Sequence, residues 1–201
     1  MHAHVAVPFM QLRRIAADAG FDLVPVSAFR DFERQLAIWN AKYAGTRPIS
    51  GADGTPIDAA ALAPEERVRA ILQWSALPGA SRHHWGTDLD LIDRAALPSG
   101  YRVRLECDEY APRGPFAAAT EWLDANAGRF GFFRPFRGVR SGVRPEPWHY
   151  SFAPTAEIAR RDLQVAVLAA ALAETPLLGK EAVLPQLEAI HSRYVDSIDL
   201  P

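Results

Sequence analysis

One histidine of this sequence stands at a spacing from a carboxylate that suits a metal site. His83 precedes Asp90 by seven positions, and Gly86 lies between them. Glycine tolerates the backbone of a sharp turn, so a turn that leads into a strand can bring both side chains to one ion. Asp88 is a competing ligand, because it lies on the same strand face as Asp90. The structural alternative is a loop histidine followed by an aspartate that only caps the turn.

A second candidate ligand follows a pair of prolines. Glu146 stands between Pro145 and Pro147, and His149 follows three positions after the glutamate. Proline inside a helix removes a hydrogen bond and clashes with the preceding turn, so this segment is expected to be extended. In a regular strand, Glu146 and His149 would point to opposite faces. They converge only if the chain bends at the prolines. Otherwise the segment is an edge strand with an exposed glutamate and a half-buried histidine.

Arg30, at the end of a predicted strand, is a candidate fixed positive charge. It can pair with Asp31 or Glu33, or it can stabilise an oxyanion or hold a carboxylate. Two histidines and one aspartate would leave the fourth position of a zinc ion open, which is typical of catalytic sites. A nearby carboxylate that is not a ligand would then serve as general base. Together these residues predict metal-assisted hydrolysis of an amide bond.

The order of these motifs resembles that of the VanY-like D-alanyl-D-alanine carboxypeptidases. These are zinc peptidases related to the VanX dipeptidases and to the zinc domain of hedgehog proteins. The motifs are Ser27-x-Phe29-Arg30, Ser81-x-His83-x-x-Gly86-x-x-x-Asp90 and Glu146-x-Trp148-His149.

The resemblance implies a role for each polar residue of these motifs. It implies a Zn²⁺ ion bound by His83, Asp90 and His149. It also implies that Glu146 is the catalytic base and that Arg30 stabilises the oxyanion or binds substrate.

Further substrate contacts are implied at Ser81 and Gln35, and Trp148 is expected to line the cleft. The implied substrates are peptidoglycan stem peptides or muropeptides with D-Ala-D-Ala ends, and the leading hypothesis is a D-Ala-D-Ala carboxypeptidase. The alternatives are an L-Ala-D-Glu-type endopeptidase, a D,D-dipeptidase and a catalytically silent zinc-containing domain that binds peptidoglycan. These residues alone do not separate them.

The elements that must position these residues alternate between helices and short strands. Apolar periodicity and turn residues predict helices over 9–19, 31–45, 64–74 and 116–127, and strands within 23–26, 131–133 and 147–152. They also predict a turn followed by a strand within 81–92 and a long surface loop over 46–63. From Thr155 onward the chain is predicted to be helical. We therefore expect an α+β fold in which a small antiparallel sheet carries the zinc site and helices flank it.

The length of the chain suits one catalytic domain with an extension. We expect a zinc peptidase domain over residues 1–153 and a helical C-terminal extension over 154–201 packed on the same domain, with His191 at the surface. The single cysteine, Cys107, excludes a disulfide framework.

Net charge and hydropathy exclude two classes of partner. The net charge of −2 argues against nucleic-acid binding, which usually needs a basic excess. The longest apolar stretch, 165–173, is far shorter than the ~20 residues of a membrane span. The sequence starts without the basic and apolar regions of a secretion signal, which predicts a cytoplasmic location. A periplasmic or cell-envelope location stays open if a signal has been removed.

Overall fold

The computed structural model describes residues 1–51 and 54–201. Its helices are α1 (Ala3–Asp18), α2 (Phe32–Tyr43), α3 (Pro64–Leu72), α4 (Cys107–Tyr110), α5 (Ala117–Asn126), α6 (Ala153–Asp162), α7 (Val165–Glu174), α8 (Lys180–Val183) and α9 (Leu187–His191). Its strands are β1 (Leu23–Ser27), β2 (Ile49–Ser50), β3 (Pro56–Ile57), β4 (Asp88–Asp93), β5 (Phe132–Phe133) and β6 (His149–Phe152).

Four strands form an antiparallel sheet in the order β1-β4-β6-β5. The central pair is in register so that Asp88 lies opposite Ser151 and Asp90 lies opposite His149. Helices flank this sheet, and the predicted α+β class with a small antiparallel sheet is confirmed.

The two faces of the central strands differ in chemistry because side chains alternate along a strand. Leu89 and Leu91 of β4, with Tyr150 and Phe152 of β6, belong to an apolar core that also contains the buried sides of α1 and α5. Asp88 and Asp90 of β4 and His149 and Ser151 of β6 lie on the opposite face, and every residue of both strands is buried. The sheet therefore packs one face against two helices and presents buried polar groups on the other.

A second apolar core joins α2 and α3 to the C-terminal helices. Trp39 of α2 and Ile71 of α3 are fully buried there beside Leu168 and Leu172 of α7. The residues from 154 onward thus share a core with the preceding part of the chain. Of the helices in the described ranges, none combines the length and the apolar character that a membrane crossing requires.

Helix α2 lies close to its predicted bounds, because an N-cap residue defines its start. The Asp31 carboxylate accepts a 2.7 Å hydrogen bond from the backbone N–H of Arg34, as an N-cap residue does. The helix buries Gln35, Leu36 and Trp39 on one side. The cap therefore fixes the orientation of the chain just after Arg30.

Three sequence expectations were wrong. The 46–63 segment is not only a surface loop, because β2 and β3 form a hairpin that buries Ile49 in the second core; Ala52 and Asp53 of this segment lie outside the described residues. Helix α1 begins six residues before its predicted start, because Val5 continues its buried stripe. His191 is buried: it hydrogen-bonds to Asp196 and to a main-chain carbonyl.

Replacing the α2 cap tests this account of the fold. Asp31→Ala removes the acceptor for an otherwise unpaired N–H, so the free energy of unfolding should fall by about 1 kcal/mol. Asp31→Asn retains an acceptor and should keep most of that stability. Urea denaturation of both variants measures the difference, and equal stability of the two would contradict a capping role.

Candidate metal centre

Three distant segments bring two imidazoles and a carboxylate together on the polar face of the sheet. His83, Asp90 and His149 each offer one ligand atom, and these atoms all lie within 4.8 Å of one another. Asp90 and His149 are neighbours on paired strands, and His83 lies in the short 3₁₀ turn that precedes β4. Gly86 ends that turn with a φ of +67°, which an L side chain rarely adopts, so the glycine identified in the sequence permits the approach.

The hydrogen bonds of His83 fix which ring nitrogen faces the site. Its Nδ1 lies 2.7 Å from the carbonyl oxygen of Ala28, which can only accept, so Nδ1 carries the proton. Nε2 is then left with its lone pair and lies 3.3 Å from Oδ2 of Asp90. A histidine that binds a metal through one ring nitrogen is commonly oriented by a hydrogen bond from its other ring nitrogen.

His149 is oriented by Asp88, which the sequence analysis considered only as a competing ligand. His149 Nε2 donates to Oδ1 of Asp88 at 3.0 Å, so the opposite nitrogen, Nδ1, faces Asp90 and Glu146 at 3.4 and 3.0 Å. Burial alone would lower the pKa of His149, but these surrounding carboxylates raise it to about 10. The pocket around Nδ1 therefore favours a cation.

The Asp88 carboxylate accepts hydrogen bonds from four residues. Besides His149, it accepts hydrogen bonds from Arg82 at 2.8 Å, Thr87 at 2.7 Å and Ser151 at 3.0 Å. Burial raises the pKa of the Asp88 carboxyl, but the charge of Arg82 and the hydrogen bond from His149 outweigh it and hold that pKa below its ordinary value. Asp88 is thus an ionised support for His149 rather than a ligand.

The environment of Asp90 fits a role as a metal ligand. Asp90 is buried, and its Oδ1 has no hydrogen-bond partner within residues 1–51 and 54–201. A buried carboxylate oxygen normally has a partner, so this atom is available as a ligand. Oδ2 of Asp90 lies 3.3 Å from Nε2 of His83, and its Oδ1 lies 3.4 Å from Nδ1 of His149. The carboxylate thus lies between the two imidazoles, and this donor set of two histidines and one carboxylate suits a zinc ion.

Glu146 reaches the site because the chain bends at the prolines, as convergence requires. The N–H of His149 donates to the carbonyl oxygen of Glu146 at 3.1 Å, which closes a turn over the two intervening residues. The N–H of Glu146 donates in turn to the carbonyl oxygen of Phe136 at 3.0 Å. Its carboxylate is largely buried beside the three candidate ligands and remains outside their set.

Arg30 is held rigidly beside the same centre. Its guanidinium donates to Oε1 of Gln35 at 2.8 Å and to Oγ of Ser27 at 3.2 Å. The Gln35 amide also donates to the carbonyl oxygen of Ala76 at 2.7 Å. His84 hydrogen-bonds to the carbonyl oxygen of Arg30 at 2.6 Å. Gln35 is fully buried behind the arginine and is absent from the described cavity lining, so its contacts are those of a support for Arg30.

These residues lie in a cavity of about 810 Å³ between the sheet and the helices. Ser81 and Trp148 both line it, and the Trp148 ring also packs against Tyr110 at a centroid distance of 5.6 Å. Lys42 from the last turn of α2 and Tyr194 from the C-terminal segment line it as well. Neither residue belongs to a local motif, so the sequence alone does not identify either of them as part of the site.

The family profile described as VanY, D-alanyl-D-alanine carboxypeptidase, matches residues 1–155. An uncharacterized protein of Haemophilus influenzae is 38% identical over 121 residues, which cover 59% of this chain and 92% of that protein. A D-alanyl-D-alanine carboxypeptidase of Enterococcus faecalis is 33% identical over 82 residues, which cover 39% of this chain and 25% of that protein.

Two solved structures share the fold. One is a mutant of the vancomycin resistance D,D-pentapeptidase VanY from a VanB-type resistance cassette, in complex with Zn(II). It is similar with a TM-score of 0.52 and 22% identity, over 91% of this chain and 83% of that chain. The other is VanYB in complex with D-Alanine-D-Alanine, with a TM-score of 0.52 and 23% identity, over 83% and 80%. Because the profile match spans most of the sequence, the chain belongs to the VanY family of D-alanyl-D-alanine carboxypeptidases, the family that its motifs predicted.

Proposed function

We propose that this chain is a zinc-dependent D-Ala-D-Ala carboxypeptidase that removes the terminal D-alanine from peptidoglycan stem peptides. The observation that carries the proposal is the arrangement of Glu146 beside three candidate ligands. The Glu146 carboxylate lies 3.0 Å from Nδ1 of His149 but is not one of the three. Three protein ligands and an adjacent free carboxylate are the composition of a hydrolytic zinc site.

The chain's own residues have distinct roles in this hydrolysis. When bound, zinc supplies a Lewis acid that polarises the scissile carbonyl and lowers the pKa of water toward about 7. Glu146 accepts the proton of the attacking water and delivers it to the leaving amine. Arg30, fixed by Gln35 and Ser27, offers N–H donors to the oxygen on which negative charge develops. Because this arginine is already positioned, little reorganisation is needed during the reaction.

The charges of the cavity favour a substrate with a free carboxylate. Among the basic residues that line it, Arg82 pairs with Asp88, and Arg104 pairs with Glu106 and other acidic neighbours. Lys42 and Arg47 also line the cavity, and within the described ranges neither side chain has an ion pair or a hydrogen bond. The terminal carboxylate of a substrate could pair with Lys42 and Arg47, whereas an internal peptide bond offers no negative charge.

The names of similar proteins agree with this choice. One relative is a D-alanyl-D-alanine carboxypeptidase, and one protein of the same fold is in complex with D-Alanine-D-Alanine. The family assignment supports a zinc peptidase of the carboxypeptidase or dipeptidase kind, and the unpaired cations favour a substrate with a terminal carboxylate over an internal peptide bond.

Product analysis tests the proposed reaction directly. The zinc-loaded protein is incubated with a stem pentapeptide that ends in D-Ala-D-Ala, and products are identified by mass spectrometry. We expect loss of a single D-alanine and no cleavage of the same peptide with a C-terminal amide. Release of the intact D-Ala-D-Ala dipeptide, cleavage after L-Ala, or binding without products would contradict the carboxypeptidase assignment.

Glu146→Gln separates the base from the metal ligands. The amide cannot take a proton, so kcat should fall by about 10²–10⁴-fold. Zinc content should stay at one ion per chain, because Glu146 is outside the ligand set. Glu106→Gln, which changes an exposed carboxylate at the same cavity, is the matched control and should leave kcat within about twofold. Loss of zinc together with unfolding in Glu146→Gln would instead indicate a structural role.

Lys42 should make substrate affinity depend on pH. Burial, together with the nearby charges of Arg47 and Arg30, lowers the pKa of Lys42 to about 8, and the charge of Glu146 opposes this shift. Lys42 is therefore mostly charged at pH 7 and loses its charge above pH 8. KM for the D-Ala-D-Ala peptide should rise above that pH in the unmodified protein and stay level in Lys42→Arg.

Lys42→Met should raise KM about tenfold at pH 7, since it deletes the charge at every pH. Lys180→Met is the matched control, because Lys180 is the only other lysine and lies on α8 outside the cavity lining. An equal KM in the two variants would mean that Lys42 does not meet the substrate.

A further inference from the structure

We propose that the C-terminal segment 193–199 forms one wall of the active-site cleft and takes part in its function. In this proposal Tyr194 contacts the substrate, and Asp199 positions the stretch of chain that carries Glu146. This inference rests on the proposed function for the nature of the substrate. The family profile ends at residue 155, so this segment lies outside the part of the chain that the family match describes.

Three hydrogen bonds, one of them to the Asp199 side chain, tie the segment to the stretch that leads to Glu146. The carboxylate of Asp199 accepts from the N–H of Arg137 at 2.7 Å, and the N–H of Asp199 donates to the carbonyl oxygen of Pro135 at 2.9 Å. The N–H of Gly142 donates to the carbonyl oxygen of Arg193 at 3.0 Å. The 135–142 stretch is thus held at both ends by the C-terminal segment.

Apolar packing continues from the segment to the metal centre. Ile198 is buried in a cluster with Phe133 and Phe136. The Phe136 ring packs edge-on against the His149 ring at a centroid distance of 5.1 Å. The carbonyl oxygen of Phe136 accepts the hydrogen bond from the N–H of Glu146. A displacement of Ile198 or Asp199 would therefore move Phe136, which contacts both Glu146 and His149.

Tyr194 brings a side chain of this segment into the cavity itself. Its ring lies directly on Gly142, where an added Cβ would lie only 2.6 Å from the ring, so the glycine makes room for it. Its phenolic oxygen has no hydrogen-bond partner in the parts of the chain that the structure describes, so its O–H is free to donate to a carbonyl group of the substrate.

The segment is anchored on its other side, which lets it act as a rigid wall. Nε2 of His191 lies 2.9 Å from the carbonyl oxygen of Leu163, and Nδ1 lies 3.1 Å from the Asp196 carboxylate. Asp196 also pairs with Arg160 at 3.2 Å. Val195 is buried in the core shared by α2, α3 and α7. Tyr194 therefore belongs to a segment fixed on both sides.

Asp199→Ala tests the positioning role, with Leu200→Ala as the control, since Leu200 is the exposed neighbour. Loss of the Asp199 acceptor should accelerate hydrogen exchange over 134–146 by at least about tenfold, measured by mass spectrometry. It should also lower kcat by up to about a hundredfold, because a small displacement of a catalytic group is costly. KM and zinc content should change little. Exchange and kcat equal to those of Leu200→Ala would overturn the positioning role.

Tyr194→Phe and Tyr194→Ala test the substrate contact. Loss of one hydrogen bond should raise KM about three- to tenfold in Tyr194→Phe, and Tyr194→Ala should raise it further, with kcat within about twofold in both. Unchanged KM in both variants would overturn the contact. If the unmodified protein cleaves no D-Ala-D-Ala peptide, the proposed function fails together with the substrate contact. The exchange experiment then still decides the positioning role, since it requires no substrate.

Discussion

The structure depends on the burial of negative charge on one face of a four-stranded sheet. Asp88 and Asp90 are both buried on β4, and an unpaired carboxylate in such surroundings is strongly unfavourable. Arg82 and the His149 N–H neutralise Asp88, which leaves Asp90 to be neutralised at the centre between His83 and His149. A divalent cation bound there would neutralise the Asp90 carboxylate at the position where the proposed hydrolysis needs a Lewis acid.

The rest of the fold serves this placement. Strand alternation directs Leu89 and Leu91 into the core with α1 and α5, and it therefore directs the two aspartates toward the cavity. The helices on the cavity side then supply the fixed charges, Arg30 before α2 and Lys42 near its end. The candidate catalytic groups thus come from loops and strand ends, while the cores that hold them are apolar and close-packed.

Much of the site could be predicted from the sequence because its signals are local. The spacing around Gly86, the prolines beside Glu146 and the cap at Asp31 each act within a few residues. What the sequence did not reveal depends on contacts between distant segments. Asp88 became a support for His149 only through strand pairing, and Tyr194 and the burial of His191 depend on where the C-terminal helices pack. Such long-range contacts leave no periodicity or spacing to read.

One ion is expected to bind between His83, Asp90 and His149 while Glu146 stays free. A crystal structure of the zinc-loaded protein, with anomalous diffraction data collected on both sides of the zinc absorption edge, tests this arrangement. We expect a single strong anomalous peak at about 2.0–2.2 Å from His83 Nε2, His149 Nδ1 and an Asp90 oxygen. A peak bound to Asp88 or Glu146 instead, or none within this triad, would contradict it.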